Sequence, residues 1–178
     1  MDKAALVVID MLNPYDHEDG DALADNVASM VHNVARLVED ALESDVELVY
    51  VNDNYGDFAA TRDDLVRRAL DSRRPDLIEP IVPPRGVAFL QKARHSAFYS
   101  TTLDHLLRQR TIDTVVLAGQ VTEQCILYTA LDAYIRHFAI RVPRDAVAHI
   151  DPELGDAALR MMERNMRVDL LDAEAVLS

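Results

Sequence analysis

The segment "AGQVTEQCILYTALDAY" (118–134) holds the chain's single cysteine, Cys125, at a point where an apolar, strand-like run gives way to a helical pattern. A thiolate is a strong nucleophile, and the first turn of a helix, with its unsatisfied N–H groups, lowers a cysteine's pKa. Thr122 is a suitable N-cap for that helix and Glu123 suits its positive end. Two further residues have types that could serve the same chemistry. Asp10 closes the first strand-like run, "AALVVID", and could act as general base and acid. Lys92 closes another, "VAFLQK"; Lys3 and Lys92 are the only lysines, in a chain that otherwise uses arginine for its cations. Each of the three also fits an inert role. Cys125 could be a buried apolar filler, Asp10 the cap of an Asn-Pro turn, and Lys92 a surface cation.

An acid, a cation and a thiol at separate strand ends can meet only if the strands are neighbours in one sheet. Six strand-like runs, at 4–10, 46–53, 87–92, 113–119, 139–146 and 168–172, alternate with helical periods at 22–44, 60–70, about 100–110, the Cys125 segment and 151–167. The strand runs are continuously apolar rather than alternating, which predicts strands covered on both faces. The expected fold is an α/β three-layer α-β-α sandwich with a six-stranded, mostly parallel, Rossmann-like sheet, formed by residues 1–178 as one domain. Such sheets bind ligands beyond their carboxyl ends, where Asp10, Lys92 and Cys125 are expected. On the cysteine helix, Leu127, Ala130, Leu131, Tyr134, Ile135 and Phe138 form the predicted buried stripe.

Composition narrows the function. A net charge of −13, spread along the chain, disfavours nucleic acid and anionic membrane surfaces as partners. No run approaches the roughly 20 apolar residues of a membrane span. The N-terminus lacks a signal-peptide pattern and one cysteine forms no internal disulfide, so a cytoplasmic protein is expected. No Gly-rich phosphate loop follows the first strand, which disfavours a flavodoxin-like nucleotide binder.

Three stretches together resemble the isochorismatase-like cysteine hydrolase superfamily, which includes nicotinamidases and N-carbamoyl amide hydrolases. "LVVIDMLNPY" looks like its opening strand, "LQKARHSAFYSTTLDHLL" is similar to its K-x-x-x-S-A-F-x-x-T-x-L segment, and "VVLAGQVTEQCILYTALDA" resembles its G-x-x-T-x-x-C-x-x-x-T-A-x-D-A block, with "VPRDAVA" as the following strand. The resemblance implies Asp10, Lys92 and Cys125 as a catalytic triad acting through a thioester. It also implies a cis peptide at Gln120–Val121 that aims the Val121 N–H, with that of Cys125, at an oxyanion. If the Cys125 N–H has that task, Thr122 is expected to cap Gln124.

Nicotinamidases carry an Asp and histidines after the second strand that hold a divalent metal. Here that stretch is "VNDNYGDF" (51–58), without histidine, so Asn52, Asp53 and Asn54 are expected to close the strand or line the pocket. No metal, no cofactor and a substrate other than nicotinamide are expected, and His17 in "DHEDG" is assigned to a solvated loop. Nearness to strand ends or to the triad makes Asn13, Tyr15, Asn52, Tyr55, His95, Phe98 and Tyr128 the candidate substrate-binding residues. The expected partner is a small-molecule substrate with a scissile amide, carbamoyl or ureido C–N bond, and the resemblance implies a homodimer or homotetramer. Two alternatives stay open: an enol-ether hydrolase that uses Asp10 without covalent catalysis, and a non-catalytic oligomeric scaffold on the same fold.

Overall fold

The structure is a computed structural model and describes residues 3–177. Its sheet is entirely parallel, in the order β3-β2-β1-β4-β5-β7: β1 is Ala4–Ile9, β2 Glu47–Asp53, β3 Ala88–Lys92, β4 Thr114–Gln120, β5 Ala139–Pro143 and β7 Asp169–Leu171. A two-residue strand, β6 (Val147–Ala148), pairs with the end of β4. It is a seventh strand beyond the run read at 139–146: that run ends as β5 at Pro143, and a turn whose Ala146 N–H returns to the Pro143 carbonyl leads into β6.

The apolar strands are buried on both faces, and the residues sort by parity. Leu6, Val8, Leu48, Tyr50, Val116 and Ala118 pack under α1 (Gly20–Leu42), α2 (Arg62–Leu70) and α6 (Ala173–Val176). Ala5, Val7, Ile9, Val49, Val51, Val115 and Leu117 pack under α3 (Leu103–Gln109), α4 (Leu127–Ile135) and α5 (Pro152–Met166). A period of two along strands buried on both sides makes two cores from one sheet. The short α6 has no counterpart among the helical periods read from the sequence.

β1 lies between β2 and β4. The chain builds outward from β1 to β3, then returns to β1's other side to continue through β4, β5 and β7. The strand order therefore reverses between β1 and β4, where open parallel sheets leave a crevice. Register fixes what stands there: Ile9 is level with Val51 and Gly119, and Asp53 with Lys92. Asp10, Lys92 and Gln120 thus emerge at one edge.

The cysteine segment departs from expectation. Residues Thr122–Ile126 form a π-helical turn ahead of α4, with Val121 at the cap position. The Val121 carbonyl accepts from both Gln124 and Ile126 N–H, at 3.1 Å each, so Thr122 caps nothing and its hydroxyl is buried without a partner. The buried face is Ile126, Thr129, Ala130 and Ala133, whereas Tyr128, Leu131, Tyr134 and Ile135 of the apolar segment are exposed. Small residues let α4 approach the sheet closely, and the large apolar ones are left on its outer side.

Gly119 has φ +119°, and a methyl group there would overlap the Ile9 carbonyl oxygen across the β1–β4 pairing. Gly119→Ala is expected to lower unfolding free energy by about 2–4 kcal/mol, read by urea denaturation. A loss within ~0.5 kcal/mol would show that β1 and β4 can separate freely at the crevice.

Candidate active site

Asp10 sits one residue past β1 in a left-handed conformation, φ +54°. Its N–H binds the Val51 carbonyl at 3.0 Å, and its own carbonyl accepts from the Gln120 side-chain amide at 2.6 Å. The bend points the carboxylate across the sheet edge. One oxygen accepts the Asp53 N–H at 2.8 Å, and the other meets Lys92 Nζ at 2.7 Å. Lys92 Nζ also stands 3.6 Å from Cys125 Sγ and 3.6 Å from Asp53 Oδ2. Asp10, Lys92 and Cys125 are all buried, and the ends of β1 and β3 and the turn after β4 bring them together.

The charges explain the protonation state. Burial raises the pKa of Asp10, and the Lys92 ammonium opposes it. Burial would lower Lys92, but the neighbouring Asp10 carboxylate leads the opposing effects that leave it above its ordinary value. The thiol is pushed well up, first by burial and then by the Asp10 carboxylate, against the pull of Lys92. The lowered thiol pKa expected from a helix N-terminus is therefore overturned: desolvation and a carboxylate neighbour outweigh the helix end.

Cys125 opens onto a cavity of about 360 Å³, bounded near the triad by Asn13, Tyr55, His95, Gln120 and Val121. The Gln120–Val121 peptide bond is cis. His95 Nδ1 lies 3.8 Å from the sulfur, and its ring packs on Tyr128 with centroids 5.4 Å apart. A second cavity of about 450 Å³ shares Asp53, Tyr55 and His95 with the first and adds Phe58 and Arg94.

Of the candidate binding residues, Asn13, Tyr55 and His95 line the inner cavity, and Tyr128 touches it through His95. Tyr15, Asn52 and Phe98 do not. Tyr15 is core, with its hydroxyl pKa pushed up to about 12 by burial. Asn52 clamps the segment after β1, accepting the Leu12 N–H at 2.9 Å and donating to the Asp53 carbonyl at 3.0 Å. Phe98 stacks on Phe138 with centroids 5.9 Å apart, beneath Arg136. Polar or aromatic residues beside a strand end serve the fold as readily as the pocket.

Asp53 and Asn54 close the strand as expected, accepting from Tyr55 N–H at 2.7 Å and Gly56 N–H at 3.0 Å. His17 is exposed, yet it borders the inner cavity. Asp19, Gln124 and Ile150 border it too and went unread in the sequence. Ile150 arrives by a long-range clip, because Glu123 Oε1 accepts the N–H groups of Ile150 and Asp151 at 2.9 Å each.

Residues 4–175 match the Isochorismatase domain. The chain belongs to the isochorismatase family. It is 32% identical over 173 residues to the "Uncharacterized isochorismatase family protein YaaI" of Bacillus subtilis, covering 97% of this chain and 96% of that one. The maleamate amidohydrolase of Pseudomonas putida is 32% identical over 160 residues, covering 84% and 75%. Among solved structures, the N-carbamoylsarcosine amidase of Thermoplasma acidophilum superposes with a TM-score of 0.78 at 31% identity, covering 99% of each chain. This isochorismatase-family protein is a hydrolase, with amidohydrolases among its relatives.

The ion pair sets a pH dependence. A carboxyl whose folded pKa is raised contributes stability below its unfolded value, and that contribution is lost as pH rises through the folded pKa. Removing the ammonium raises Asp10 further, whereas the contribution of Lys92 itself is constant well below its own pKa. Lys92→Met is expected to cost about 3–5 kcal/mol near pH 7, leaving a buried carboxylate unpaired. That deficit should shrink in denaturation measurements taken from about pH 8 down to about pH 5. A deficit that does not change with pH would show that Asp10 does not feel Lys92.

Proposed function

We propose that this protein is a cysteine hydrolase that cleaves the C–N bond of a small amide, carbamoyl or ureido substrate without a metal. The observation that carries the reading is the buried Cys125 sulfur at the edge of a solvent-reached cavity, 3.6 Å from a lysine whose other partner is the Asp10 carboxylate at 2.7 Å. The names of relatives, maleamate amidohydrolase and N-carbamoylsarcosine amidase, support C–N chemistry.

In the reaction Sγ attacks the substrate carbonyl carbon while its proton passes to Asp10. The carbonyl oxygen becomes an oxyanion facing the Val121 and Cys125 N–H groups. As the C–N bond breaks, Asp10 returns the proton to the leaving nitrogen and a thioester remains. Water then attacks the thioester, Asp10 takes the water's proton, and its transfer to sulfur restores the thiol and frees the acid product. Lys92 stabilises the thiolate as it forms and keeps Asp10 ionised until attack. A thiol raised in pKa needs such a base in contact, and a reducing cytoplasm would keep it free for the task.

A screen of primary amides, ureides and carbamates, read by ammonia release and by an acyl mass shift on Cys125, tests the reading. Asp10→Asn should slow acylation at least ~100-fold, Cys125→Ala should abolish turnover, and EDTA should leave it intact. Full turnover of an enol ether by Cys125→Ala would replace this reading with the non-covalent one, and loss of activity to EDTA would overturn the metal-free assignment.

The exposed Tyr128, Leu131, Tyr134 and Ile135 face of α4 supports a homodimer or homotetramer, because Tyr128 packs on His95 and a second copy there would extend the cavity wall. Leu131→Glu with Ile135→Glu is expected to yield monomer in analytical ultracentrifugation. A wild-type monomer would refute the assembly.

A further inference from the structure

The proposed reaction engages Asp10, Lys92 and Cys125 but not a fourth group at the sulfur. His95 Nδ1 lies 3.8 Å from Cys125 Sγ, nearly as close as Lys92 Nζ at 3.6 Å. The two nitrogens differ in setting. Lys92 is buried at the end of β3, whereas His95 is exposed and borders both the inner and the outer cavity. An imidazole so placed exchanges its proton with solvent while Nδ1 stays at the nucleophile.

The ring is held in that place from α4. Tyr128 packs on it with centroids 5.4 Å apart and planes tilted by 40°. Two residues on, the Ala97 N–H binds Thr129 Oγ1 at 2.9 Å, tying the segment to the helix that follows the cysteine. Among the described residues, the sulfur is the only hydrogen-bonding partner of either ring nitrogen. Such contacts are commonly long in an unliganded site and tighten in the reacting complex.

The local charges give that contact a purpose. Lys92 faces Asp10 at 2.7 Å, Asp53 at 3.6 Å and the sulfur. One ammonium cannot offset two carboxylates and a thiolate, and an imidazolium at the sulfur supplies the missing positive charge. Asp53 borders both of the cavities that His95 borders, and Asp10 and Asp19 border the inner one; Arg94, in the outer cavity, is the opposing cation. His17, Tyr55 and Tyr128 complete the titratable groups around the ring.

We propose that His95 is a catalytic residue of this site: as an imidazolium it pairs with the Cys125 sulfur and stabilises the thiolate that attacks. The S–H bond breaks with its electron pair left on sulfur. Its proton passes to the Asp10 carboxylate beside an imidazolium already formed from solvent, or to Nδ1 of a neutral ring, which thereby becomes the imidazolium. The catalytic part rests on the cysteine-hydrolase reading, but the pairing of His95 with the sulfur does not, and it is measured without turnover.

The imidazolium favours the thiolate only while it keeps its proton, so its effect is greatest at mildly acidic pH and fades as the ring is deprotonated. Iodoacetamide carries no charge and Cys125 is the only thiol, so mass spectrometry reads its alkylation on the whole protein. The wild-type rate is expected to exceed that of His95→Asn by about tenfold or more near about pH 5.5, the excess falling toward unity by about pH 9. His95→Gln, which keeps a hydrogen-bonding side chain without the charge, should lose the same excess. A wild-type-to-variant ratio that is the same at every pH overturns the proposal, because the ring would then only shape or shield the sulfur. A His95→Gln rate equal to wild type at the acidic end overturns it too, as does a wild-type thiol that fails to react there. If the pH-dependent excess is found while no amide in the screen is hydrolysed, the hydrolase reading fails and the pairing stands. Hydrolysis accompanied by a pH-independent ratio refutes the pairing and leaves the hydrolase reading in place.

Discussion

The structure turns on one buried ion pair, Asp10 to Lys92 at 2.7 Å. Two charges in the interior are tolerated only where geometry is good and the remaining polar atoms are bonded. Here the second Asp10 oxygen takes the Asp53 N–H, its backbone carbonyl takes the Gln120 amide, and Asn52 ties the next residues to β2. The ion pair joins the ends of β1 and β3, two of those bonds join β1 to β2 and one joins β1 to β4, so the pair demands β3, β2, β1 and β4 in their observed order and register. The left-handed Asp10 and Gly119 mark where the backbone bends to meet that demand.

The third member differs in kind. Cys125 comes from a wide turn after β4 rather than from a strand end, and its environment opposes ionisation. A resting thiolate would place a third anion beside Asp10 and Asp53 against one lysine. In the proposed mechanism, keeping the proton on sulfur until a carbonyl arrives removes that repulsion and gives Asp10 a part in the attack.

The legible parts of the sequence were those governed by local rules. Continuous apolar runs identified six of seven strands, and the helical periods at 60–70 and 151–167 are found as α2 and α5. The exceptions each involve a distant partner. The π-helical turn took the capping role from Thr122 by offering the Val121 carbonyl instead. The outer face of α4 reads as core because periodicity counts apolar residues, whereas packing against the sheet selected the small ones, Ala130 and Ala133. Tyr15, Asn52 and Phe98 look like pocket residues by proximity in sequence, but each is consumed by a contact that no local pattern announces: core packing under Gln120, the Leu12 clamp and the Phe138 stack.

The same contrast explains why the clustering of three side chains was easier to read than the cavity wall. The triad needs only one residue type at each of three positions, and the parallel sheet then brings those positions together. The wall of the cavity is assembled from a loop after β1, the cap of α1, the turn after β2, the π-helical turn and the loop before α5. Ile150 reaches it only because Glu123, two residues before the cysteine, grips the backbone of Ile150 and Asp151. That grip ties the nucleophile's own turn to a wall segment some 25 residues away, so a shift in either is felt by both. The cavity wall of this structure thus depends on contacts that hold loops against the π-helical turn, while Asp10 and Lys92 answer to the sheet.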